Sequence, residues 1–91
     1  MDRSEAAAIL RREMEAWARR PYAELARLVD DVDAYEVEGA GGTTYQVEVN
    51  VYWEGQPGGS LRVLAGIDDG SIRGAFRPVT DGFVASPDVM S

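Results

Sequence analysis

Between Thr43 and Trp53 this chain alternates strictly. Thr43, Tyr45, Val47, Val49, Val51 and Trp53 interleave with Thr44, Gln46, Glu48, Asn50 and Tyr52. A period of two, with β-branched and aromatic residues in one register, predicts a long strand with one buried and one wet face. A strand of this kind needs cover for its apolar face and partners for its edges. The remaining segments are read here as supplying both.

Cover comes from the N-terminal end. Asp2 and Glu5 have the spacing of a helix N-cap and its third helical residue. Ala6, Leu10, Met14 and Trp17 recur at helical intervals, with Ala7 and Ile9 widening the stripe. These predict a helix over 2–19. Pro21 interrupts it and suits the first position of a second, short helix over 21–28. The run Asp30, Asp31, Asp33 then reads as an acidic linker.

Edge partners follow in order. Residues 34–38 alternate as a short strand, with Ala40-Gly41-Gly42 as the hairpin turn into a strand over 43–54. Gly55 to Gly59 is a loop, and 61–68 is the next strand. Asp69-Gly70 predicts a two-residue turn into a strand over 71–77, which would align Ile67 with Ile72 and Val63 with Phe76. Asp81-Gly82 reads as another turn, 83–85 as a possible last strand and 86–91 as a tail. The expected fold is α+β, one domain over 1–91. A long N-terminal helix and a short second helix pack on one face of an antiparallel meander of four or five strands.

Composition narrows the chemistry. The chain has no Cys and no His, and its nine basic residues are all Arg. The usual near-neutral general base, thiolate and imidazole metal ligands, and a Schiff-base lysine are all missing. Catalysis would rest on carboxylates, Tyr, Ser or Thr, so an enzyme is the last of the readings, and no cofactor is expected. No carboxylate spacing matches a twelve-residue calcium loop, and neither glycine-rich stretch precedes a helix in the manner of a phosphate loop. A net charge of −7 disfavours nucleic acid and anionic membrane as partners. With no apolar run of spanning length and a charged N-terminus, the expected setting is soluble and cytoplasmic.

Pro21-Tyr22-Ala23-Glu24-Leu25 and Thr80-Asp81-Gly82-Phe83-Val84-Ala85-Ser86-Pro87-Asp88 carry a resemblance to a group of short uncharacterised bacterial proteins with the same order of elements and Gly-rich hairpins. The chain departs from their pattern after Pro87-Asp88, where Val89-Met90-Ser91 replaces an expected Gly. This resemblance implies a layout and no activity. In shape alone, a helix on a curved antiparallel sheet is similar to cystatin-like domains, and no protease-inhibiting motif of theirs is present.

Two candidate sites follow. On the outer face, the expected turn sets Arg62 opposite Arg77 with Arg73 one step away. Like charges facing one another need an offset. Either Glu54 or Glu48 supplies it, or the three arginines hold an anion or a partner's carboxylate. Tyr52 and Leu64 lie among them, the residue types of a small interface, and the flat face could self-associate as a homodimer. On the inner face, Trp17, Tyr45 and Trp53 could line a small-molecule pocket. The functional expectation is a non-catalytic protein-interaction module. The alternatives are a small-molecule binder and an acidic, immunity-like neutraliser of a basic protein.

Overall fold

The computed structural model describes residues 1–70 and 78–87. Its first helix, α1 (Arg3–Ala18), starts where the Asp2 side chain accepts the Glu5 backbone N–H at 3.0 Å. That bond satisfies one of the orphan donors of the first turn. Arg19 caps the other end, one residue short of expectation. Ala6, Ile9, Leu10, Met14 and Trp17 form the buried stripe.

The chain turns at Pro21 into α2 (Tyr22–Ala26), shorter than the 21–28 expected. Beyond it Val29 bridges Val51 in parallel, and Asp30 takes a left-handed φ of 74°. That reversal starts β1 (Val32–Glu38) two residues earlier than predicted, so the end of the acidic run is strand and not linker.

β2 (Thr44–Trp53) and β3 (Leu61–Asp68) follow. Tyr45, Val47, Val49 and Val51 of β2 and Leu61, Val63, Ala65 and Ile67 of β3 are buried, while most of the intervening residues are not. The β1–β2 register places Val37 beside Tyr45 and Tyr35 beside Val47, as the alternation requires. The last strand, β4 (Val79–Ala85), closes a four-stranded antiparallel sheet of order β1-β2-β3-β4.

The neighbour of β3 corrects the sequence reading. Val79 stands opposite Ile67 and Phe83 opposite Val63, the places expected for Ile72 and Phe76. The strand predicted over 71–77 and the end of the 86–91 tail lie outside the described residues. Asp81-Gly82, read as a turn, lies within β4. Gly82 is there for close approach: a Cβ on it would collide with the Val63 carbonyl oxygen and meet Leu64 Cδ2 at 3.0 Å. Its φ is not among the positive ones, so the residue serves strand packing.

α1 lies over β3 and β4 and is pinned to the rest of the sheet by tyrosines. Tyr45 donates its hydroxyl to Glu5 Oε1 at 2.6 Å, and Glu5 Oε2 accepts the Ala40 N–H at 3.0 Å. Tyr35 donates to Glu13 Oε1 at 2.8 Å and accepts from Trp17 Nε1 at 3.0 Å. Each end of the helix is thus fixed to one half of the β1–β2 hairpin. Tyr22 likewise ties α2 to the β2–β3 loop through the Gly59 carbonyl at 2.7 Å. Both helices occupy the inner side, and the outer face of the sheet stays uncovered among the described residues.

Candidate interaction surface

The pleat decides what the uncovered face displays. Tyr52, Arg62 and Val84 form one cross-strand row, and Val32, Asn50, Leu64 and Gly82 the next. Each strand therefore contributes one large apolar side chain. Val32 is 57 % exposed, Tyr52 46 %, Leu64 41 % and Val84 49 %. At about 4.8 Å between strands they make a zigzag belt about 14 Å across the sheet. Isolated exposed apolar residues are ordinary; four in a band on one face are a patch.

Beyond the belt the character changes. Ala34, Glu48, Gly66 and Thr80 form the third row, and Glu36, Gln46 and Asp68 the fourth. Ala34 is too small to fill its position. A depression of about 300 Å³ results, lined by Ala34, Glu36, Gln46, Glu48 and Asp68. Asp68 accepts the Gly70 N–H at 2.7 Å. Glu36 and Glu48 make no ion pair among the described residues.

Arg62 is the one basic residue of the four described strands. Its neighbours are Tyr52 and Val84, so the expected alignment with Arg77 gives way to an apolar one. Its Nε and Nη2 each reach a different Glu54 oxygen at 2.8 Å. This bidentate fork holds Glu54 below the usual carboxylate range and raises the guanidinium. The offset foreseen from Glu54 is therefore present. Arg73 and Arg77 lie outside the described residues, so the three-arginine row is represented by Arg62 alone.

The inner-face candidates separate. Tyr45 reaches Glu5 and Trp17 reaches Tyr35, and Glu5 and Trp17 stand about 18 Å apart along α1 at 1.5 Å per residue. Trp53 is partly buried against the core. Trp17 lines clefts of about 300 and 360 Å³ that include neither Tyr45 nor Trp53. Its ring face is taken by the Arg20 guanidinium, 3.8 Å from the centroid. Another cleft, of about 510 Å³, runs between Pro21 and Tyr22 on one side and Phe83 to Pro87 on the other.

Sequence reasoning found Tyr52 and Leu64 from alternation alone. It missed Val84 and Val32, because each belongs to a strand that begins earlier than its turn-like residues indicate. Among the described residues no group of three carboxylates is placed to hold a metal ion, and no helix is long and apolar enough to cross a membrane. No protein-family model matches the chain, and no curated protein or solved structure matches it significantly.

Proposed function

We propose that the chain is a non-catalytic protein-interaction module whose uncovered sheet face docks a partner protein. The observation that carries this reading is the belt of Val32, Tyr52, Leu64 and Val84, one exposed apolar residue from each strand. An antiparallel sheet commonly leaves one face to water, and that face is then polar. Here half of it is not. Tyr52 beside the anchored Arg62 has the composition of an interface centre.

The groups that could do chemistry support the same reading. Glu5 and Glu13 accept from Tyr45 and Tyr35 and are spent on holding α1 to the sheet. The test is a double variant, Tyr52→Ser with Leu64→Ser. A partner retained by the wild type, purified and mixed back, should form a complex of the summed mass by light scattering. The variant, folded by circular dichroism, should not form it. Equal complex formation by both proteins would remove the outer face from consideration.

A second reading is a small-molecule binder. The cleft of about 510 Å³ beside Pro21, Tyr22 and Phe83 favours it, since it falls within the size range of ligand sites. Its polar equipment is thin: Tyr22 is committed to Gly59 and Arg20 to Trp17 and Glu24.

A further inference from the structure

Taking the outer face as the docking surface, we infer that its occupant is a basic amphipathic segment of another protein. Its apolar side chains would lie on the belt, and its Lys or Arg heads over the depression between Glu36, Glu48 and Asp68.

Charge complementarity selects this occupant. On one side of the belt the face carries Glu36, Glu48 and Asp68 with no cation among the described strand residues. On the other side the positive charge of Arg62 is already neutralised by Glu54 through two 2.8 Å bonds. Among the described residues, a basic partner thus meets unpaired negative charge and no unpaired positive charge on this face. The depression, at about 300 Å³, has room for an ammonium or guanidinium head. Among the described residues its carboxylates form no group placed to hold a metal ion.

A second copy of the chain fits poorly. Four strands about 4.8 Å apart and about 25 Å long offer on the order of 500 Å². Stable interfaces use about 800 Å² per partner. Two copies overlapping fully with their rows in register would stack carboxylates on carboxylates. Overlapping only at the belts would halve an area that is already small. A basic partner can use the whole face, an area that suits a weak, transient contact, and attraction to a chain of net charge −7 speeds its encounter.

The test uses the full chain and synthetic helical peptides, followed by backbone amide shifts. The probe has Leu along one face and Lys and Arg on the other. One control keeps the charge and replaces Leu by Gln; a second keeps Leu and replaces the cations by Glu. The expected result is saturable shifts centred on Glu48, Asn50, Leu64 and Gly82 with the basic amphipathic peptide. Binding should fall about tenfold, equivalent to about 1.4 kcal/mol, in the Glu36→Lys/Glu48→Lys variant. It should fall further with added salt. Glu36→Gln/Glu48→Gln, which keeps side-chain size, should give an intermediate loss. No saturable shift, or equal affinity for the charge variants, overturns the basic occupant. Tighter binding of the Glu-bearing control, or a dimer protected at this face, overturns it too while leaving the docking surface intact. Undiminished binding by Tyr52→Ser/Leu64→Ser removes the docking surface itself.

Discussion

Tyr35 and Tyr45 make the same kind of bond at opposite ends of α1, and both are pushed up to about 12. For Tyr45 the bond to Glu5 is the main cause, with burial second; for Tyr35 burial leads and Glu13 adds to it. The protonated phenol is the form that the fold favours. A pKa raised from about 10 contributes stability that is complete below pH 10 and is lost as pH rises through 12. Alkaline denaturation should therefore steepen over pH 10–12, and Tyr45→Phe, though less stable at pH 7, should lose less over that window. Absorbance at 295 nm should show two late-ionising tyrosines, and a single ordinary transition for all four would contradict the assignment. Gly82 is the other decisive residue. Gly82→Ala pushes a methyl into the Val63 carbonyl and should cost about 1–3 kcal/mol in urea unfolding, the usual range for overpacking. Leu64→Ser, on the open face, should stay within about 0.5 kcal/mol.

Among the elements, the hairpin of β1 and β2 and the stripe of α1 were legible in the sequence because each follows one unbroken period. Tyr45 and Val37 had to face inward together once the turn at Ala40-Gly41-Gly42 was placed. β4 was not legible, and the reason is physical. Asp-Gly marks a turn when the backbone needs a positive φ, as Gly70 does at 79°. The same dipeptide marks a strand when a neighbouring backbone leaves no room for a Cβ, as at Gly82. The letters do not distinguish these two uses. The candidate surface was half legible for the same reason: Tyr52 and Leu64 come from clear strands, Val84 and Val32 from ambiguous ones. The three inner-face residues do not come together for a different reason: a shared face says nothing of distance along it, and Trp17 and Tyr45 sit at opposite ends of the helix. The stripe itself makes a direct prediction. Leu10 is fully buried between α1 and the sheet, and Leu10→Ala should cost about 2–5 kcal/mol.

Among the described residues the molecule is a sheet closed on one side by helices and open on the other, with the open side divided into an apolar belt and an acidic depression. That division, set on a chain of net charge −7, is what favours a basic partner over a second copy. Molar mass by light scattering across a wide concentration series tests this most directly. The account predicts the monomer mass of 9.9 kDa throughout, because the belt is too small and the acidic rows too alike to hold two copies together. A dimer at moderate concentration that returns to monomer on Leu64→Glu would contradict it, and would make the outer face a surface for self-association.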